Sequence, residues 1–193
     1  MIPVLFLCML FAQDGPSSPP APMKQNRAPV QAQPAPLQQP SSAEVDRLFA
    51  LTAMQGSNAE IDMAELALKR GSANEVKSYA GKMIAEHKGL MDEMMPVLQR
   101  VLASPPAERL APADQLAMRH LESVKPVDFD QVYIMQQIGG HLATLTAFQT
   151  EADNGTDAQL KELVRKWTPT IQAHLELAVD IAKHVGGASP FKQ

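Results

Sequence analysis

Cysteine is almost missing from this chain of 193 residues, and the single one, Cys8, sits in the first apolar segment. Beyond that segment no disulfide can form, no thiolate can ligate a metal and no cysteine nucleophile is available. Charge of one sign is lacking too: 17 basic against 21 acidic residues leave a net charge of -4, with no basic cluster. That excludes nucleic acid or an anionic membrane as the main partner. Long apolar runs are absent apart from Ile2 to Ala12, which is too short to cross a hydrocarbon layer of roughly 30 Å as a helix. No transmembrane domain is therefore expected in the mature chain. Strand-like alternation, a nucleophile paired with a base, a phosphate-cradling loop and a haem-attachment motif are all missing, so the residues lean away from an ordinary enzyme.

The apolar run reads as an export signal over residues 1–13, with Leu10-Phe11-Ala12 suited to cleavage after Ala12. Cleavage, retention as an anchor and lipidation at Cys8 are the fates open to it, with a cytoplasmic chain as the remaining alternative, and bulky Leu7 argues against lipidation. No Lys or Arg precedes the run, which weakens the signal. Residues 14–41 hold eight prolines among Gln, Ala and Ser between Asp14 and Pro40. Such a segment cannot bury enough apolar surface to offset chain entropy, and it is expected to be a disordered linker. The folded part is expected over residues 42–187, followed by a short tail at 188–193.

Within the folded part Ala, Leu, Met, Glu, Gln and Lys dominate and aromatics are few; these residues lose little rotamer freedom in helices, so the fold class is all-α. Ser41-Ser42-Ala43-Glu44 makes a capping box for a first long helix ending at Gly71. Ser72-Ala73-Asn74-Glu75 makes a second for a helix that runs to about Ala103. Asp128 is expected to cap a third helix that breaks at Asn154-Gly155. Thr156-Asp157 opens a fourth, ending at Gly186-Gly187. Between the second and third lies a long connection with a short helix over about Pro112 to Val124. The expectation is a ferritin-like four-helix bundle, in which that connection crosses from one end to the other, in competition with a simple up-and-down bundle.

Four residues with metal-binding chemistry occupy apolar stripes, one per long helix. Glu60 lies among Ala53, Met63 and Ala67, and His87 among Met83, Ile84, Leu90 and Met91. His141 is flanked by Ile134, Ile138 and Leu145, and His174 by Ile171, Leu177 and Ala178. At about 1.5 Å per residue, a crossover gathers all four near mid-bundle better than an up-and-down arrangement does. Glu60, His87, His141 and His174 are therefore the candidate ligands of one divalent transition-metal ion; imidazole and carboxylate suit zinc, iron, manganese or copper. A two-iron centre wants Glu-x-x-His on two helices, whereas Ile84 and Ile171 stand three residues before His87 and His174. Glu86, Glu93 and Glu176 are expected to rotate away from the stripe. The competing reading is a metal-free network in which Glu60 accepts hydrogen bonds from the histidines.

Gly139-Gly140 in the third helix suggests close helix approach, or room for a ligand beside His141. Pro169 should bend the fourth helix. Met91, Met94 and Met95 are read as core, Tyr133 as a hydrogen-bonding core residue, and His120 and His184 as incidental.

From Ser42 to Val185 the chain also resembles the ferritin-like family of exported bacterial proteins known as domain of unknown function DUF4142. The resemblance is carried by Phe49, Gln55-Gly56, Ala59-Glu60-Ile61, Val76, Ala80, Met83-Ile84 and Glu86-His87. It continues through Phe129-Asp130, Tyr133, His141, Leu160-Lys161, Pro169 and His174-Leu175. It implies a ferritin-like bundle, a signal sequence and a place in the periplasm, cell envelope or extracellular space, and it implies no activity. Two functions follow as expectations. One is a non-catalytic binding or structural protein of the envelope, associated with it through the N-terminal segment and tied to stress tolerance. The other is a metal-binding protein engaged in scavenging or redox chemistry. Nothing in the residues sets the oligomeric state.

Overall fold

The computed structural model describes residues 40–104 and 106–185, all helix and connection with no strand among them. The expected signal segment and linker at 1–39 and the tail at 188–193 lie outside the described residues. The described residues form five helices: α1 (Ser42–Arg70), α2 (Asn74–Leu102), α3 (Pro112–Ser123), α4 (Phe129–Asn154) and α5 (Ala158–Val185), with a 3-10 turn at Pro126–Asp128 before α4. The four long ones form a helical bundle, in which α1 packs on α2 and α4, and α5 packs on α4 and α2. None of the described helices is long and apolar enough to cross a membrane.

The ends of the helices decide the topology. At the start of α4, Asp130 accepts hydrogen bonds from the backbone of the α1–α2 turn, at 2.9 Å from Ser72 N and 2.7 Å from Ala73 N. At the start of α1, Asp46 does the same for the α4–α5 turn, accepting from Thr156 N at 2.7 Å and Thr156 Oγ1 at 2.6 Å. Hence α4 begins where α1 ends and α1 begins where α4 ends. The connection between α2 and α4 runs the length of the bundle, and the up-and-down alternative is excluded. Arg70 holds the arriving end of α3 by donating to the carbonyls of Leu121, Glu122 and Val124, while its guanidinium covers the Phe129 ring at 4.8 Å.

Both turn glycines answer to these carboxylates. A Cβ on Gly71 would sit 2.7 Å from the Ala67 carbonyl and 3.2 Å from Asp130 Oδ1; one on Gly155 would run into Glu151 and lie 2.7 Å from Asp46 Oδ1. Two expected caps are corrected by the same geometry. The α2 N-terminus has no side-chain cap of its own, because Asp130 from α4 takes the place of the expected Ser72 box. Asp128 makes no cap bond and belongs to the 3-10 turn. Ser41 caps as expected, its Oγ accepting from Glu44 N, whereas at α5 the cap is Asp157 rather than Thr156: Asp157 Oδ1 accepts from Gln159 N and Leu160 N, and Thr156 Oγ1 donates to Asp46.

The core divides in two. One cluster, near the α1–α2 turn, contains Met63, Tyr79, Met83, Phe129, Tyr133 and Ile134. The other contains Phe49, Leu90, Met94, Leu98, Phe148 and Ile171, with Met91 buried and Met95 partly buried alongside. Pro169 lies inside α5, as read from the sequence, and Pro96 lies inside α2.

Two outcomes test the end contacts. Replacing Asp130 with Ala should remove about 1–2 kcal/mol by uncapping α2, read as a lower urea midpoint with an unchanged slope, and Asn should cost less. Burial, and then the Asp46 charge, push Glu151 up to about 7. Because its folded pKa lies above the unfolded value of about 4.3, the stability tied to its protonated form is complete below that value and is lost as pH rises through about 7. Thermal melts should show the melting temperature declining from pH 5 to pH 8, and Glu151→Gln should shrink that decline.

Candidate metal centre

Between the two apolar clusters the helices present a polar layer. His87 on α2, His141 on α4 and His174 on α5 are 4%, 1% and 1% exposed, and one ring nitrogen from each lies within 4.8 Å of the others. Each histidine replaces an apolar residue on its stripe, so the packing that buries Met83 and Leu90, Ile134 and Phe148, or Ile171 and Ala178 buries the imidazole between them. Glu60 on α1 is also buried but is not one of this group. Its Oε1 lies 3.9 Å from His141 Nδ1 and is packed on Gly140, where a Cβ would come within 2.8 Å of it. Of the four residues expected from the sequence, the structure gathers the three histidines and sets Glu60 beside them. Of the pair Gly139-Gly140, a Cβ on Gly139 would meet nothing within 4 Å, and the close approach at Gly140 is that of the Glu60 carboxyl and not of another helix's backbone.

Hydrogen bonds set the tautomers. The Gln137 carbonyl stands 2.8 Å from His141 Nδ1 and can only accept, so the proton of His141 is on Nδ1 and its Nε2 carries the lone pair. His174 Nε2 is bonded to Glu86 Oε2. Burial opposes ionisation of Glu86, but hydrogen bonds from Lys82 and His174 outweigh it and keep the group below its usual range, so Glu86 accepts. The His174 proton is then on Nε2, and the lone pair is on Nδ1. These two lone-pair nitrogens, His141 Nε2 and His174 Nδ1, are 3.3 Å apart. Metal–nitrogen bonds of about 2.0–2.1 Å at tetrahedral angles place ligand nitrogens about 3.3–3.4 Å apart. His87 adds a third imidazole, neither of whose ring nitrogens has a partner.

The electrostatics favour the neutral, ligating form. Burial first, and then the charges of His141 and His174, push His87 down to about 3. Burial also takes His141 to about 4 against the pull of the Gln137 carbonyl, and it lowers His174 despite Glu86. Glu60 moves the other way. Burial lifts it to about 8, and the Asp114 charge adds to the rise.

Sequence reasoning placed Glu86 off the stripe and missed Gln137. The signal for both was present. Glu86 falls in the row Tyr79, Met83, Glu86, Leu90, a second stripe of α2 whose other members are buried. Gln137 falls in the row Ile134, Gln137, His141. A helix that packs on two neighbours has two such rows, and only one was followed. Tyr133 is fully buried, yet its hydroxyl is unpaired, as are those of Tyr79, both amide atoms of Gln137 and Oε2 of Glu60; the expected Tyr133 hydrogen bond is not made.

Because both ring nitrogens of His87 are buried without partners, the side chain costs stability whenever nothing ligates it. In protein stripped with EDTA, His87→Leu should raise stability by about 1–2 kcal/mol, measured by urea denaturation. A loss of stability would show that the imidazole is satisfied inside the fold.

The comparisons with known proteins follow this geometry. No curated protein and no solved structure matches the chain. The profile described as "Domain of unknown function (DUF4142)" matches residues 31–181, which take in the four candidate residues together with Glu86 and Gln137. The chain belongs to the DUF4142 family.

Proposed function

We propose that this protein is an exported, ferritin-like bundle that holds one divalent transition-metal ion through His87, His141 and His174, in a scavenging or sequestering role. One observation carries this reading: two buried imidazoles are fixed by Gln137 and Glu86 so that their lone pairs converge at 3.3 Å. Two lone pairs facing each other repel, and a cation between them turns that repulsion into coordination. Donation of the second ring N–H to a carbonyl or carboxylate is how ligating histidines are ordinarily oriented. Three imidazoles leave a fourth position to water or a small ligand. Glu60 stays outside this ligand set, beside His141. A two-iron centre gains no support, since the carboxylate of Glu86 is engaged with His174 and Lys82. The ferritin-like label is supported by the single crossover between α2 and α4, and export by the apolar run before Gln13.

A second reading has its own observation. His141 Nε2 and His174 Nδ1 are within hydrogen-bond distance, so a protonated His174 could bridge His141 and Glu86 with a proton in place of the metal. Elemental analysis of untagged protein, recovered from medium and envelope fractions, separates the two. The metal reading expects one ion per chain and a melting temperature raised by zinc, iron, manganese or copper. At 100-fold excess over Kd the gain is about 2.7 kcal/mol, and it should vanish in His87→Ala and His174→Ala. A metal-free protein whose melting temperature ignores all four ions leaves the proton network. Absence from both fractions would sink export.

A further inference from the structure

Between α1 and α4 the described residues line a cavity of about 360 Å³, covered at one end by α3. The two helices run antiparallel, and the lining extends from Leu48 to Met63 on α1 and from Phe148 back to Gln136 on α4. At about 1.5 Å per residue, that is about 22 Å along one wall and about 18 Å along the other. The volume lies within the roughly 300–1,000 Å³ of small-molecule sites, but it is drawn out along the seam between the helices. Burial deepens in one direction. Leu48, Thr52 and Ala143 are exposed, whereas Ala59, Glu60 and Met63 are buried, where Ala113, Asp114 and Ala117 of α3 complete the wall. The cavity is therefore a slot, with its mouth toward the start of α1 and its closed end under α3.

The slot is poor in charge and in free polar groups. No Lys or Arg is among the described residues that line it. Burial resists charge on both of its carboxyls, lifting Glu60 to about 8 and Asp114 above its usual range. Oε2 of Glu60 and Oε1 of Gln136 are buried and present no surface to it. Three of its donors are already engaged inside the protein: Gln55 donates to the Glu108 carbonyl at 2.9 Å, Gln136 to that of Ala117 at 3.0 Å and Thr144 to that of Gly140 at 3.0 Å. What faces the space is mostly hydrocarbon, including Leu51, Ala53, Leu90 and Ile171, with the buried Phe49–Phe148 pair toward the mouth.

We propose that this slot binds one unbranched alkyl chain of a free amphiphile with an uncharged head, the chain running along the α1–α4 seam toward Met63 and the head left at the mouth beside Thr52. Length and narrowness select a single flexible chain, because a compact ring system would fill only part of about 20 Å and leave the remaining apolar wall uncovered. The lack of Lys and Arg disfavours a carboxylate or phosphate head, and walls that resist charge disfavour an ammonium. Each methylene moved from water into such a wall strengthens binding about four-fold. The site goes beyond the metal reading: His87 lines part of the slot, but neither of its ring nitrogens has surface there.

Two glycines allow matched substitutions. A Cβ on Gly56, which lines the slot, meets nothing within 4 Å, and neither does one on Gly139, which does not line it. Leu improves helix propensity at either mid-helix position, but only Gly56→Leu fills the slot. The test is calorimetric titration of the EDTA-treated full chain with 1-hexanol, 1-octanol, cyclooctanol, octanoate and octylamine. Octanol should bind about 15-fold more tightly than hexanol, four-fold for each of the two added methylenes. Cyclooctanol, octanoate and octylamine should each bind at least ten-fold more weakly than octanol. Gly56→Leu should abolish octanol binding with no fall in melting temperature, and Gly139→Leu should leave binding unchanged. Equal affinity for hexanol and octanol would overturn the proposal. So would cyclooctanol or either charged compound binding as tightly as octanol, octanol binding that survives Gly56→Leu, or no octanol binding by folded protein. Stripping the metal first keeps this result independent of whether an ion binds the histidines.

Discussion

Two carboxylates hold the two helical hairpins head to tail. Asp130, at the start of α4, closes the α1–α2 turn, and Asp46, at the start of α1, closes the α4–α5 turn. Each supplies acceptors to backbone N–H groups that a helix start leaves unpaired. Burial disfavours the charge on Asp46, yet the hydrogen bonds from Thr156 and Asp157 outweigh it and hold the group below its usual range. Because each contact ties one hairpin's entry to the other's turn, sliding one pair along the other would break both. The register of α1 against α4, and with it the depth of every side chain in the bundle, depends on these two groups.

That register puts three imidazoles at one level. In a plain bundle the layer between the two apolar clusters would be filled by Leu or Ile. Here it holds His87, His141 and His174, with Glu60, Gln137 and the hydroxyls of Tyr79 and Tyr133 close to it. Unpaired polar atoms gathered in one layer of an otherwise ordinary core conflict locally with the fold, and such conflicts concentrate at functional sites. Glu86 and the Gln137 carbonyl act on the outer faces of the rings, and in doing so aim the inner faces at one another.

The crossover has a second consequence. A chain that returns along the outside of the bundle must lie in a groove, and α3 takes the one between α1 and α4. It is pinned at both ends: Gln55 and Asn58 donate to the carbonyls of Glu108 and Arg109, Arg109 pairs with Asp62, and Arg70 gathers the carbonyls at the α3 C-terminus. Its alanines leave a hollow where larger side chains would have filled the space. The topology thus produces a cavity next to the polar layer without any long helix giving up its packing.

Much of this was legible in the chain. Composition and the 3.6-residue period determined that the folded part is helical, because burial of one face fixes which residues recur. Ser41, Gly71, Asn154-Gly155 and Asp157 marked the ends of the helices, since turn and cap chemistry is local. The same period showed His87, His141 and His174 facing inward. Sequence could not show that Asp130 caps α2 or that Glu86 meets His174, because these contacts join residues 58 and 88 positions apart. It could not separate Glu60 from the histidines either: periodicity tells which way a side chain faces around a helix, but not how far its neighbours stand off. Crossover or up-and-down, Glu60 within the histidine group or beside it, cavity or filled core were decided only when the helices packed, since register and separation between helices belong to the tertiary structure.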